Sequence, residues 1–567
     1  MTLDTARAHW PPSWLFPFGR GPGAVGRAVV ATTDRYASEV GLAVLDSGGN
    51  AVDAAVAVSL ALAVVNPEAG NLGGSGFLLA RMADGRTFAL DIRGVAPRAA
   101  TAEMFLDAGG DVSERSQVGP LAAAVPGSVR GLWDAHRALG TRPWASLVEP
   151  AIGLARGFRV TERLTRSYPA HVVAGLERFE ESARIFLPDG RIPRAGETLR
   201  QPDLARTLER IRDHGADGFY RGATAKLLVE AMHRHGGVME LDDLSSYEAA
   251  LRDPVSFTYR GHTILSMPPS SSGGVTLAET AHILATRDLA ATAWHGAEHV
   301  HLLAEAWKRA FADRNHYLAD TDFVDVPLAA LASPDYGAMR AREVGVRATP
   351  SGDVGPGVER FGPGSGGRVR REGDHTTHVS IVDARGNAVA TTTTLNTWYG
   401  SKWVAEGTGV LLNNEMDDFT LKPGVPNHFG LVQGMANAIA PGKRMLSAMT
   451  PTIVLAPDGA LRLVVGAPGG ATIITTVFQV ISNILDHGMG LGDAVAAPRV
   501  HHQHLPDRID VEPAGLPEAI VRALEALGHA AQERPEPWGD VQAAAVRVDG
   551  RVEGAADPRR GGVALAI

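Results

Sequence analysis

Between residues 345 and 374 the chain reads GVRATPSGDVGPGVERFGPGSGGRVRREGD, a stretch crowded with glycine and proline that has no apolar period. It ends abruptly on His375-Thr376-Thr377-His378, and from there the pattern is that of strands. Val379 and Ile381 alternate with Ser380 and Val382, and their branched β-carbons suit a pleated, half-buried surface. Any fold must therefore accommodate a break near 345–375 and begin new β-structure at Thr376. Read alone, Thr376 is an ordinary first residue of a strand.

After that point hairpins follow one another. HVSIVD and NAVATTTTL flank Arg385-Gly386, PTIVLA and ALRLVVGA flank Asp458-Gly459, and AAAVRV and RVEGAA flank Asp549-Gly550. Helices interrupt at about 471–488 and 516–528. Before the break, residues 37–65 read as helix interrupted at Ser47-Gly48-Gly49, FLLARM and RTFALDI form a hairpin around Asp84-Gly85, and 120–320 reads as mostly helical, with apolar residues every three or four positions in PDLARTLERIRDHG and AEHVHLLAEAWKRAFADR. Hairpins in both portions with helices alongside predict an α+β fold, a four-layer αββα sandwich of two antiparallel sheets covered by helices.

Composition narrows the partners. With 54 Lys plus Arg against 63 Asp plus Glu and no basic stripe, nucleic acid is not an expected partner. The apolar run AVDAAVAVSLALAVV is short for a membrane span and contains Asp53, so a buried helix is expected there. The start of the chain lacks the basic segment and apolar core of a signal peptide, which gives a cytoplasmic expectation. There is no cysteine, so a nucleophile must be Ser, Thr, Lys or a carboxylate.

Two histidine clusters resemble metal sites. His295-Gly-Ala-Glu298-His299 fits H-x-x-E-H, but Gly296 suits a helix start better than an interior, and the histidines of RVHHQHLPD (499–507) would alternate faces in an extended segment. No metal and no organic cofactor is expected. Thr376 offers different chemistry. Cleavage of the His375–Thr376 bond would leave a threonine with a hydroxyl nucleophile and a free α-amine, whose pKa of about 7.7–8 lets it serve as the base. Acyl transfer also needs donors for an oxyanion. GAPGGATIITT places Gly469 and Gly470 between a strand and a helix, where backbone N–H groups can face outward; a plain turn is the alternative, and a phosphate loop lacks its Lys here.

TTHVSIVD, TTTLNTWYG, LLNNEMDDF, KPGVPNHFG, MLSAMTPTIV and GAPGGATIITT, in that order, resemble the small subunit of γ-glutamyltransferases, members of the N-terminal-nucleophile hydrolase superfamily. AVDAAVA, LDIRGVAP, AVPGSVRG, QPDLARTL and AEAWKRAFADR extend the resemblance over nearly the whole chain. It implies a precursor that cuts itself between His375 and Thr376 into a large subunit, 1–375, with a flexible linker at about 345–375, and a small subunit, 376–567, which together form one compact heterodimer. By the same resemblance Thr376 is the nucleophile, Thr394 supports its amine, and Gly469 and Gly470 form the oxyanion hole. Arg93 and Ser447 would hold a donor α-carboxylate, and Asn396, Glu415 and Asp418 would surround its α-amine. The donor is expected to be a γ-glutamyl amide such as glutathione, and the acceptor an amine or water. Three positions depart from the family pattern: Ala448 for a second serine, Gly94 where an acidic residue is common, and Phe429 where the family's lid segment, KPGVPNHFG (422–430) here, often has Tyr. These leave open an amidohydrolase or acylase that prefers another acyl donor. A third reading is an unprocessed, non-catalytic homologue.

Overall fold

The computed structural model describes residues 2–21, 23–358 and 376–567, with side chains from Ala6 onward. Two seven-stranded sheets form its centre. One runs Ala24–Gly26, Val552–Ala556, Gln542–Val546, Leu461–Gly466, Thr452–Leu455, His262–Ser266, Val255–Tyr259. The other runs Val563–Ala566, Val29–Thr32, Thr376–Val382, Ala388–Thr394, Ser75–Arg81, Thr87–Ile92, Ala250–Arg252. Every pairing within both sheets is antiparallel.

Alternation along the strand Thr376–Val382 decides which layer each residue meets. Val379 and Ile381 point to the outer helices Arg35–Asp46, Ala51–Val65 and Trp144–Arg156, burying side chains worth about 1.5–3 kcal/mol each. On the opposite face His378 and Ser380 meet the second sheet: Ser380 Oγ donates to the Gln542 carbonyl at 2.9 Å, and a Cβ on Gly466 would lie 2.3 Å from the His378 ring. Burial pushes the His378 imidazole down to about 3, so it is a neutral packing group bonded to Thr392 and Ser380. Helices Gly273–Ala285, Ala297–Tyr317 and Thr472–Leu485 cover the second sheet. The expected αββα sandwich is the observed one.

Local chemistry explains the Ala-rich helix. Asn50 and Asp53 form a reciprocal capping box at its start, which accounts for a carboxylate in so apolar a run, and all of Ala51–Val65 is buried. Among the described residues no helix is long and apolar enough to cross a membrane. The mostly helical reading of 120–320 misses the strands at 250–266. Ala250–Arg252 is a strand, and Val255–Tyr259 and His262–Ser266 form a hairpin around Arg260-Gly261, both at positive φ. The expected linker is held down as far as Val358: Thr349 donates to Glu305, and the Gly357 N–H donates to Asp313 at 2.7 Å. The remainder, with His375 and the expected cleavage bond, lies outside the described residues.

Candidate active site

The hairpin that turns at Gly386 (φ 87°) fixes the register of its two strands, and that register sets Thr394 directly across from Thr376. Thr376 is 8% exposed, and its Oγ1 donates to Thr394 Oγ1 at 3.3 Å. The Asn396 N–H donates to the same Thr394 oxygen at 2.8 Å. Asn396 sits at φ 80°, tied down by its Nδ2 donating to the Asn414 carbonyl at 3.0 Å. A non-glycine residue in the left-handed region is strained, and such strain is retained where surrounding bonds over-determine the backbone. Here it aims a main-chain donor at Thr394, the expected support of the nucleophile. Asn396 therefore reaches the site through its backbone, while its side chain is spent on the loop.

Arg93 follows the strand Thr87–Ile92 and is fully buried. Its Nη2 forms a short ion pair with Asp418, its Nη1 lies 3.4 Å from Glu415 Oε1, and Ser75 Oγ donates to that Glu415 oxygen at 2.5 Å. The expected carboxylate holder and the expected ammonium holders thus neutralise one another before any donor arrives. Burial, only partly offset by Arg93, pushes Asp418 up to about 7 and raises Glu415 as well. Gly94 is explained by the same group: a Cβ there would lie 2.6 Å from Glu415 Oε2, so Glu415 fills the space that a side chain after Arg93 would need. Ser447 accepts the Met449 N–H at 3.1 Å, leaving its hydroxyl hydrogen available to a ligand, and Ala448 beside it offers none.

Gly469 and Gly470 stand at φ 140° and φ 54° just before the helix Thr472–Leu485. That places them where unsatisfied N–H groups and the positive helix end favour an anion. The Phe429 ring lies over Gly470, and a Cβ added there would meet it at 2.4 Å. Gly470→Ala is therefore expected to lower kcat about 10- to 100-fold by turning the N–H away from the oxyanion, with donor KM changing less. Steady-state kinetics on the variant checks this; an unchanged kcat would remove Gly470 from the oxyanion role.

One cavity gathers Thr376, Thr394, Arg93, Asn396, Asp418, Ser447 and Gly470, together with Ala448 and Phe429. Glu415 backs it through Arg93, and Gly469 is adjacent in sequence to its wall. About 20 Å³ is open, room for a water but not for an aminoacyl group, so a donor must displace Phe429 or part the Arg93–Asp418 pair. Two polar lining residues were not singled out from the sequence. Asn427, from the lid segment, reaches Asp418 at 3.5 Å, and Arg314 comes from the helix Ala297–Tyr317, a stretch that its sequence marks by helical period and family resemblance but not as part of a site.

The histidine motifs do other work. His295 lies outside the helix at φ 52°, and its N–H donates to His299 Nδ1, so the two do not share a helical face. His501 bonds to Thr475 and Gln503, His502 Nδ1 accepts the His504 N–H at 3.1 Å while its Nε2 lies 3.4 Å from Asp507, and the His504 ring bonds to the Ser351 and Val354 carbonyls. Among the described residues one group has ligand-like spacing, His301, Glu305 and His529. Its two histidines bond to each other at 2.8 Å, and Glu305 is already paired with Lys308 at 3.0 Å and Arg309 at 2.8 Å, cations that would repel a metal.

The γ-glutamyltranspeptidase family model matches residues 37–567. The glutathione hydrolase proenzyme of Pseudomonas aeruginosa is 47% identical over 546 residues, covering 95% of this chain and 94% of that one. The Escherichia coli K12 protein of the same description is 44% identical over 536 residues, covering 94% and 90%. Among solved structures, the cephalosporin acylase from Bacillus halodurans superposes with a TM-score of 0.81 at 27% identity, covering 98% of this chain and 99% of that one. Because the family match runs through every segment that lines the cavity, the Thr376 strand, the segment 422–430 and the glycine turn alike, the chain belongs to the γ-glutamyltranspeptidase family of enzymes.

Proposed function

We propose that this enzyme cleaves itself before Thr376 and then transfers γ-glutamyl groups from amides such as glutathione to water or an acceptor amine. The observation that carries the reading is the meeting of Thr376 and its partner Thr394 with Arg93 and Asp418 in one cavity. In processing, Thr376 Oγ adds to the carbonyl of residue 375 and the peptide nitrogen leaves as the free α-amine. Water then opens the resulting ester, leaving subunits 1–375 and 376–567 as a heterodimer. In turnover the α-amine takes the proton from Oγ as it attacks the donor amide. Gly469 and Gly470 stabilise the tetrahedral oxyanion, and the proton passes to the departing amine. Water or an acceptor amine reverses these steps on the acyl-enzyme. The donor's zwitterionic head suits the site because its ammonium can take Asp418 and Glu415 while its carboxylate takes Arg93.

The test compares γ-glutamyl and glutaryl anilides, which differ only in the α-ammonium. Release of aniline from the first at least tenfold faster supports the reading. Equal rates would favour an acylase of the same architecture, a second reading supported by the cephalosporin acylase likeness and by Ala448. Ala448→Ser, by adding one hydroxyl beside Ser447, is expected to lower the γ-glutamyl KM by up to about tenfold, the worth of one hydrogen bond. A KM that stays the same or rises would show that position 448 does not face the donor carboxylate.

A further inference from the structure

Arg314 occupies the last turn of the helix Ala297–Tyr317, is 1% exposed, and opens onto the donor cavity. All of its acceptors among the described residues are uncharged: Nε donates to Ser272 Oγ at 3.0 Å, and Nη1 donates to Asn315 Oδ1 at 2.8 Å and Gln433 Oε1 at 3.4 Å. No hydrogen bond from Nη2 exists among them. Buried arginines nearby are treated differently. Arg309 pairs with Glu305 at 2.8 Å, and Arg340 lies 3.1 Å from Glu343 and 3.5 Å from Asp313. Burial lowers Arg314 to about 10, which still leaves it fully charged near neutral pH. Asp418 is near enough to favour that charge but is bonded to Arg93.

A desolvated cation without a counter-ion is costly, and a substrate that brings its own anion relieves the cost. Charge balance in the cavity points the same way. Asp418 and Glu415 are both paired with Arg93, which leaves Arg314, among the described residues, as the lining cation without a carboxylate of its own, and a donor carboxylate can supply one. Ser272 ties the two sides together, since its Oγ accepts from Arg314 and donates to the Ser447 carbonyl at 2.6 Å.

We propose that Arg314 is a second carboxylate-binding residue of the donor site, its Nη2 donating to the donor carboxylate beside Arg93 and supplying the contact that Ala448 lacks. This rests on the cavity being the acyl-donor site, and it holds for γ-glutamyl and glutaryl donors alike because both carry the carboxylate.

The test uses processed wild type, Arg314→Gln and Arg314→Lys. With γ-glutamyl anilide, Arg314→Gln is expected to raise KM roughly 10- to 100-fold with kcat within about threefold, and Arg314→Lys to raise KM by less, since charge is kept and the planar fork is lost. Calorimetry separates the head groups. Glutaric acid monoamide, which keeps the carboxylate, should lose affinity in Arg314→Gln, whereas 4-aminobutanamide, which keeps only the ammonium, should bind as to wild type. KM unchanged in both variants, or equal weakening of both amides, would overturn the assignment. Should Arg314→Gln fail to fold or process, the Lys variant decides: unchanged KM and amide affinities overturn the proposal, and a rise confined to carboxylate ligands supports it. If wild type turns over glutaryl but not γ-glutamyl anilide, the γ-glutamyl reading fails while the same comparison, run with the glutaryl donor, still tests Arg314.

Discussion

Thr376→Ala protein is expected to run as one chain of 567 residues on a denaturing gel, where wild type gives two fragments, the smaller beginning at Thr376. It should also show no measurable aniline release from any donor, a loss of at least about 10³-fold, because nucleophile and base come from the same residue. The fold gives no reason for collapse. Thr376 begins a strand whose pairing with Ala388–Thr394 is made by the backbone, and alanine removes a hydroxyl and a methyl from a residue already at the cavity wall. Thermal unfolding should confirm an intact core. Cleavage of the alanine variant at the same bond would assign processing to an outside protease. A single uncut band from fully active wild type would sink the amine-as-base mechanism altogether.

How much of this was legible in sequence depends on the range of the interaction. Turn chemistry and two-residue alternation are local, so the strand at Thr376, its partner after Arg385-Gly386 and the break at Ser47-Gly48-Gly49 could be read directly. The same turn could have yielded the pairing of the two threonines as well, since a hairpin centred on Arg385 necessarily sets Thr394 opposite Thr376. The hairpin VSFTYRGHTILS was overlooked because strongly periodic helices surround it, although its own alternation and Arg260-Gly261 carried the signal. The Arg93–Asp418 pair joins residues 325 apart, and no local pattern encodes such a contact; only the resemblance brought them together. Arg314 was missed for a different reason. In AEAWKRAFADR it reads as one of several charges on a solvated helical face. The helix is in fact buried on nearly every side, so its charges must find partners, and Arg314 is the one left facing the cavity.

Asp418→Ala and Asp418→Asn are expected to reduce kcat/KM for γ-glutamyl anilide by about 2–5 kcal/mol, roughly 30- to several-thousand-fold, while changing the glutaryl rate far less. Only the first donor has an ammonium for Asp418 to hold. The alanine variant also leaves Arg93 with Glu415 alone, so the asparagine variant, which keeps the shape and one acceptor, is the cleaner measure of the lost charge. A pH profile gives an independent check. Burial holds Asp418 at about 7, so as pH falls through that value the carboxylate takes up a proton and can no longer attract the ammonium. The Thr376 α-amine must also be neutral to act as base and loses activity in the same direction, so a single profile would merge the two. Dividing the γ-glutamyl kcat/KM by the glutaryl value cancels the amine, which serves both donors equally. That ratio should fall toward low pH with a midpoint near 7 in wild type and be flat in Asp418→Asn. A flat wild-type ratio, or a variant that discriminates between the two donors as wild type does, would take Asp418 out of ammonium recognition and leave the cavity to a carboxylate-only acyl group, with Thr376 and the glycine pair keeping their roles.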